Sequence, residues 1–467
     1  MAEQFDVVVI GGGPGGYATA LYGAAAGLNV AVVEKDKVGG TCLHRGCIPA
    51  KEFLETASVF RHVGSAKEFG ISAEAPTVDF AVSQARKEKV VDQLWKGLQG
   101  LMKRRKITTV HGTGQLAGGH TVKVSDGTEL KGTHIVLATG SVPRTIPGFE
   151  LDGRYVLTSD EFLMLDRLPR SAVVIGGGAI GCEFASTMAD LGVNVTILEA
   201  LPKVLPGCDR EVADVVVRSF KKRGIEIRTG VSVTGHTPGD NGTTVHFGEG
   251  ESVDVDLVVV SVGRRPLSDG LLIEGSNVAT DERGYVKVDA AMRTSEDGVF
   301  AVGDLVSIEG GVHPALAHVG FAEGISVVRT ILGEPSPGID YTKVPWCIYS
   351  YPEVAFAGLS EEAALEAGYD VVVKKDPFIG NGRALILGEP DGMVKVIAAK
   401  GPDGRAGTIL GVHMVGPWVT EQLGQGYMAV NWEATVDEVA AFIQPHPTLS
   451  EVFGETVLAL TGRGLHT

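Results

Sequence analysis

Five cysteines in 467 residues, an odd number and mostly scattered, are too few for the disulfide scaffold of a small secreted protein. Two of them fall close together, but no second close Cys or Cys/His pair exists to complete a zinc site. The chain also lacks a long basic run. With Lys+Arg 41 against Asp+Glu 57 and a net charge of −16, nucleic acid and anionic membranes are not expected partners. No apolar stretch approaches the roughly 20 residues that a membrane span needs. A basic start and a cleavage site are missing ahead of the apolar run that begins at Phe5, so the expectation is no signal peptide and a cytoplasmic protein.

Glycine, by contrast, is abundant: 64 residues, about twice average usage. The glycines sit between apolar runs, which points to tight turns rather than disorder. Asp6-Val7-Val8-Val9-Ile10 has the continuous apolar character of a strand buried on both faces of a parallel sheet. It runs into Gly11-Gly12-Gly13-Pro14-Gly15-Gly16, then an Ala-rich helix to about Gly27, then a second strand, Val30 to Val33, ending at Glu34. Each part serves a dinucleotide: Gly11 makes the turn, Gly13 lets backbone approach a diphosphate, and Gly16 lets helix pack on strand. The helix N-terminus attracts the anion. Glu34 is placed to accept hydrogen bonds from an adenosine ribose.

The unit recurs. Ala172 to Ile175, Gly176-Gly177-Gly178-Ala179-Ile180-Gly181 and Val195 to Glu199 align on the first copy without a gap, Gly11 on Gly176 and Glu34 on Glu199. Two such units imply two different dinucleotides, or a duplicated sheet that has lost one ligand. The Glu199 carboxylate suits a free 2′-hydroxyl and repels a 2′-phosphate, favouring NAD over NADP.

Between the copies stands Cys42-Leu43-His44-Arg45-Gly46-Cys47. Thiols this close can cycle between dithiol and disulfide, and Arg45 and Lys51 would favour thiolate; two buried small hydrophobes are the alternative. In a regular helix, positions five apart lie about 8 to 9 Å apart, beyond the roughly 7 Å that a disulfide spans. A distorted turn at Gly46, feeding a helix from about Pro49, is therefore expected, with Phe53, Ala57 and Phe60 facing the core.

Further on, a long helix is expected from about Phe80 to Arg105, with Val91, Leu94, Leu98 and Leu101 on one side. Short strands follow around Thr108 to Leu116. Three buried strands are then read at His134 to Leu137, Val255 to Val262, and Gly298 to Val302. They end respectively in Thr139-Gly140-Ser141, in Gly263-Arg264 and in Gly303-Asp304, where open α/β sheets bind ligands. From about Val344 the pattern changes, with Leu410 to Val415 as a core strand. Near the end, Thr448 and Glu451 fit a capping box for a helix running to about Thr461; alternatively Glu451 orients His446, held between two prolines, as a base.

These motifs, in this order and over essentially the whole chain, resemble the pyridine nucleotide-disulfide oxidoreductases. Gly40-Thr41-Cys42 to Cys47-Ile48-Pro49, Ala138-Thr139-Gly140, Gly303-Asp304 and His446-Pro447-Thr448 with Glu451 carry the resemblance. Within the family it is nearest to the branch that reoxidises protein-bound dihydrolipoamide and reduces NAD. The resemblance implies an α/β chain with two Rossmann-like domains, for FAD and NAD, and an α+β C-terminal dimerisation domain. Divided accordingly, residues 1–150 begin the FAD domain and hold the thiol pair, 151–275 bind NAD, 276–343 complete the FAD domain, and 344–467 dimerise.

It further implies that Gly11, Gly13, Gly16, Glu34, Thr41, Lys51, Gly114, Thr139, Gly140, Ser141, Asp304 and Ala315-Leu316-Ala317-His318 hold FAD. Gly176, Gly178, Ile180, Gly181, Glu183, Glu199 and Gly263 would serve NAD, with Glu183 paired to Lys51 unless the two are separate surface charges. Cys42 and Cys47 would be the redox pair, His446 the base supplied across a homodimer, and Glu451 its orienting acid. The implied partner is the lipoyl domain of an acyltransferase, or the glycine cleavage carrier protein, with no metal. Ala50 and Ile443-Gln444-Pro445 depart from the family's usual residues without removing a catalytic group. Another disulfide reductase of the same family and a mainly structural docking subunit are the competing readings. Ile180 where glutathione-type reductases carry a tyrosine, and final residues without cysteine, weigh against the other reductases.

Overall fold

In the computed structural model, residues 3–308, 311 and 313–466 are described. Both glycine-rich units fold as their apolar runs require. Strand Glu3–Ile10 pairs in parallel with Val30–Glu34 on one side and Glu129–Leu137 on the other. Thr108–His111 extends the sheet beyond Val30–Glu34, and Val299–Ala301 joins in parallel beside residues 135–137. An antiparallel ribbon, Gly114–Ala117 and Thr121–Val124, completes it. Residues Val7 to Ile10 are buried on both faces, which explains the unbroken apolar run.

The second unit repeats this plan in a five-stranded parallel sheet ordered Glu226–Thr229, Asn194–Glu199, Ser171–Ile175, Leu257–Val260, Val156–Thr158. The expected strand from Val255 to Val262 is two elements. Glu251–Val255 closes an antiparallel ribbon, and Leu257–Val260 enters the parallel sheet. Asp256 between them accepts from Arg170 N–H at 2.8 Å, a polar joint where the chain changes partner.

Residues from 346 onward form a five-stranded antiparallel sheet, with Ala406–Gly416 lying between Glu353–Gly358 and Met393–Lys400. Helices Val419–Asn431 and Glu451–Leu460 pack on it. One apolar core joins the parts: Phe53 and Ala57 from helix Cys47–Ser65, Phe184 and Met188 from helix Ala179–Asp190, and Ile348, Phe356 and Val415 from the C-terminal sheet. At about 25 cal/mol per Å² of apolar surface, burial of this kind stabilises how the two dinucleotide units meet. Helix Phe80–Arg104 forms as expected, but Leu94 is exposed and Lys87 is buried instead, its ammonium donating to the Leu163 carbonyl at 2.9 Å.

Candidate functional site

Turn geometry dictates the first glycine loop. Gly11 has φ 106°, and a Cβ there would lie 2.3 Å from the Ala138 carbonyl oxygen. A Cβ on Gly16 would lie 1.9 Å from the Gly11 carbonyl oxygen, so the helix approaches the strand only because both side chains are absent. Helix Pro14–Ala25 starts with proline and has no side-chain cap among the described residues. Its first N–H groups are thus available to an anion. Glu34 accepts from Gly12 N–H at 2.7 Å and from Asp36 N–H at 2.8 Å, which holds its carboxylate under the loop.

The second loop is built alike. Gly176 has φ 104°, a Cβ on Gly181 would lie 2.0 Å from the Gly176 carbonyl oxygen, and helix Ala179–Asp190 is again uncapped by described side chains. Glu199 accepts from Gly177 N–H at 2.6 Å and from Leu201 N–H at 2.7 Å. Around Gly178 and Gly263 a Cβ would meet nothing within 4 Å among the described residues, leaving space over this loop.

Between the two lies a cavity of about 640 Å³. Of the residues read from sequence, Gly11, Gly13, Glu34, Thr41, Cys42, Cys47, Lys51, Gly114, Thr139, Gly140, Ser141, Asp304, Ala315, Leu316 and Ala317 line it, with Ile180 and Glu183 from the second unit. Gly16, Gly176, Gly178, Gly181, Glu199, Gly263 and His318 lie outside its lining; the His318 ring meets the Pro345 carbonyl at 2.8 Å. The cavity fits a flavin dinucleotide: an uncapped helix start and glycine loop for the diphosphate, Glu34 for a ribose and Asp304 for a polyol. Helix Ala317–Ile331, also uncapped by described side chains, begins at the wall.

The thiol segment is two helices, Gly40–Arg45 and Cys47–Ser65, broken at Gly46 with φ −148° and ψ −112°. The second begins two residues before Pro49, which its missing N–H permits within the first turn. Cys42 and Cys47 are neighbours across this break and both line the cavity. The adjacent Cys42 thiol, aided by the Lys51 charge, lowers Cys47 to about 7. The adjacent Cys47, together with burial, pushes the Cys42 thiol up.

Lys51 Nζ donates to both oxygens of Glu183 at 2.8 Å. Burial alone would lower the lysine, but the Glu183 carboxylate raises it above its ordinary value. The separate-surface-charge alternative is therefore excluded by geometry. Tyr349 N–H donates to Glu183 as well, at 2.9 Å, a partner that lies 166 residues away and carries no local signal. Asp304 accepts from Ser141 Oγ at 2.6 Å, and Arg264 Nε donates to the same hydroxyl oxygen at 2.7 Å. Beneath this turn, buried Glu323 accepts from Gly303 N–H at 2.6 Å and from Tyr341 O–H at 2.7 Å, with the His313 ring at 2.8 Å. Arg264, Glu323 and Tyr349 escaped sequence reasoning; only Arg264, beside a strand end, had a readable position.

His446 stands apart from the cavity lining, its side chain 77 % exposed. Its Nδ1 lies 2.9 Å from Glu451 Oε2. The expected capping box does not form: helix Glu451–Leu460 starts at Glu451 itself, after Ser450 and without a side-chain cap among the described residues, although Thr448 Oγ1 accepts from Glu451 N–H at 3.2 Å in the preceding turn. The Glu451 carboxylate goes to His446 instead of returning to the backbone.

Comparison with known proteins agrees with this geometry. Residues 5–324 match the family model described as pyridine nucleotide-disulphide oxidoreductase, and residues 344–457 match its dimerisation domain. The chain is 40% identical to a dihydrolipoyl dehydrogenase of Bacillus subtilis over the whole of both chains. It is 38% identical to one of Haloferax volcanii, covering 100% of this chain and 98% of the relative. Among solved structures, LpdA of Mycobacterium tuberculosis superposes with a TM-score of 0.90 at 26% identity, over 98% of this chain and 100% of that one. The HOCl-induced flavoprotein disulfide reductase RclA of Escherichia coli gives 0.85 at 28% identity, over 97% and 99%.

Proposed function

We infer, for a chain that belongs to the pyridine nucleotide-disulphide oxidoreductase family, that it is an FAD- and NAD-dependent enzyme reoxidising dihydrolipoamide to lipoamide. The carrying observation is the Cys42–Cys47 thiol pair in the wall of the dinucleotide cavity, beside Lys51 and Glu183. Full-length identity to dihydrolipoyl dehydrogenases supports the substrate. Residues 344–457 match a dimerisation domain, and the protein is a homodimer.

The chain's own groups divide the work. His446, with Nδ1 held by Glu451, offers Nε2 to take the proton of a dihydrolipoyl thiol. The resulting thiolate attacks Cys42 Sγ of the oxidised pair, forming a mixed disulfide and expelling Cys47 as thiolate, the form that its lowered proton affinity favours. The second lipoyl thiol then displaces Cys42, its proton passing to the leaving Cys42 sulfur, and lipoyl disulfide departs. FAD, when bound, supplies the two-electron acceptor for the dithiol and the hydride donor for NAD. Across the cycle dihydrolipoamide and NAD+ become lipoamide, NADH and a proton.

Because His446 lies outside the lining of its own chain's cavity, we read it as serving the thiols of the other subunit. Glu34, Gly11, Gly13, Gly114, Thr139, Ser141 and Asp304 are read as FAD contacts, and Gly178, Ile180 and Glu199 as NAD contacts. Sheet membership supports the divisions at residues 150 and 343, while residues 264–266 already pair with residues 141–143 of the first unit ahead of the division read at 275. The physiological thiol is read as the lipoyl group of an acyltransferase or of a glycine cleavage carrier. Cytoplasmic location follows from the sparse cysteines; among the described residues no helix is long and apolar enough to cross a membrane.

Anaerobic reduction of NAD by dihydrolipoamide tests the reading, with NADP and reduced glutathione as controls. Turnover with dihydrolipoamide and NAD is the expected result. Flavin that NADH bleaches without any lipoamide turnover would keep the cofactors and send the assignment to another disulfide.

A further inference from the structure

The use of the Glu451 carboxylate outside the expected capping box has a structural explanation on another element. Asn381 follows strand Val371–Pro377 and is buried at the start of helix Gly382–Leu387. Its Nδ2 donates to the Thr448 carbonyl at 2.9 Å and to Glu451 Oε1 at 3.0 Å. Its Oδ1 accepts from Ala384 N–H at 2.9 Å. Both amide hydrogens and the amide oxygen are thereby engaged, and a flipped amide would set its oxygen against two acceptors and its NH2 against an N–H. The side chain has one workable orientation.

We propose that Asn381 is the positioning residue of the His446–Glu451 pair. Resting on the reading of His446 as the base, the inference extends the site to an element 70 residues upstream of Glu451. A carboxylate free to rotate could present either oxygen, or both, to the imidazole. With Oε1 held by Asn381, Oε2 faces His446 Nδ1, which keeps the proton on Nδ1 and the Nε2 lone pair directed outward. The second amide hydrogen, on the Thr448 carbonyl, ties the loop carrying His446 to the same anchor. The alternative role, capping of a six-residue helix, needs the Oδ1 bond alone.

Asn381→Ser separates the two roles, because serine is a good N-cap but cannot reach Glu451 with an amide. Asn381→Asp keeps the capping oxygen and sets a second carboxylate against Glu451. Both are made in the flavin-loaded homodimer and assayed for dihydrolipoamide-dependent NAD reduction and for NADH-dependent ferricyanide reduction, which does not use His446. Asn381→Ser is expected to lower kcat for dihydrolipoamide about tenfold, a fraction of a general base's usual contribution, with KM changed by less than about twofold. Asn381→Asp should lower it further, while the ferricyanide rate holds in both. Wild-type lipoamide kinetics in Asn381→Ser, or parallel loss of both activities, would overturn the positioning role. His446→Gln is the companion measurement: if it abolishes lipoamide turnover while Asn381→Ser is silent, only the role of Asn381 fails; if it too is silent, the base assignment itself is wrong.

Discussion

The two glycine-rich units are nearly superposable in their local chemistry and differ in one acid. Glu34 and Glu199 each accept from two backbone N–H groups at 2.6 to 2.8 Å. At the fifth position of the helix that follows each glycine turn, however, Ala18 stands in the first copy and Glu183 in the second. That carboxylate is buried against Lys51, which rises from the thiol helix of the first unit. The duplicated fold thus supplies two similar dinucleotide cradles, and a single acid makes the second one reach across to the redox thiols. Ligand holding is repeated in this molecule; electron handling is not.

Removing the shared feature gives the largest effects. Alanine at Gly16 or at Gly181 would set a Cβ about 2 Å from a backbone oxygen, a clash of the class that costs about 4 kcal/mol or more. Gly16→Ala is expected to purify without flavin, seen as loss of visible absorbance per protein. Gly181→Ala should keep the flavin and lose its bleaching by NADH. Equal flavin loss in both would show that the two units fold as one and that the division of ligands is wrong.

The unshared feature comes next. Lys51→Ala leaves Glu183 buried with only Tyr349 N–H as partner among the described residues. Breaking a buried pair costs about 3 to 5 kcal/mol, reduced here to about 2 kcal/mol because Lys51 is one-third exposed. Glu183→Ala frees a lysine that water can reach and should cost less. The lysine is held above its ordinary value, so its contribution is complete below pH 10.5 and disappears as pH rises through the folded-state value. Denaturant midpoints of wild type and Lys51→Ala should therefore differ at pH 8 and converge in strong alkali.

A finer effect falls on the thiols. Cys47 is lowered to about 7 first by the adjacent Cys42 thiol and then by Lys51. Alkylation of the dithiol enzyme at Cys47 should rise with pH around 7; Cys42→Ala should shift that rise upward more than Lys51→Ala does. The sign follows from linkage: a depressed thiol contributes stability present above its ordinary value of 9.0 and lost as pH falls through about 7. A larger shift in Lys51→Ala would make the ion pair, rather than the neighbouring thiol, the main tuning element.

Local pattern made much of this readable. Both glycine loops, their terminal acids, the break at Gly46 and the nearness of His446 to Glu451 depend on residues a few to about 20 positions apart, where turn chemistry and spacing constrain geometry. Tyr349, Glu323 and Asn381 do not. Each meets its partner through tertiary packing, at separations of 166 residues for Tyr349 with Glu183 and 70 for Asn381 with Glu451. Lys87 and Leu94 show the same limit within one helix. Periodicity assigns Leu94 to the core, yet it is exposed, whereas Lys87, seven residues earlier, is buried with its ammonium on the Leu163 carbonyl.

The smallest expected difference tests how alike the two cradles are. Glu34→Gln and Glu199→Gln each exchange one accepting oxygen for an NH2 that faces a backbone N–H, so one of the two loop hydrogen bonds is lost. An unsatisfied buried donor costs about 1 to 3 kcal/mol, and Glu199, only 8 % exposed, should stand nearer the upper end than the half-buried Glu34. The ligand effects should separate as well. Glu34→Gln should loosen flavin, measured by its release on dilution. Glu199→Gln should raise KM for NAD several-fold and narrow the preference over NADP, because the charge that repels a 2′-phosphate is gone while the loop it supports persists. If Glu199→Gln left the NAD to NADP ratio unchanged, the carboxylate would be a loop brace in both copies, and cofactor choice would have to come from residues outside the repeated unit.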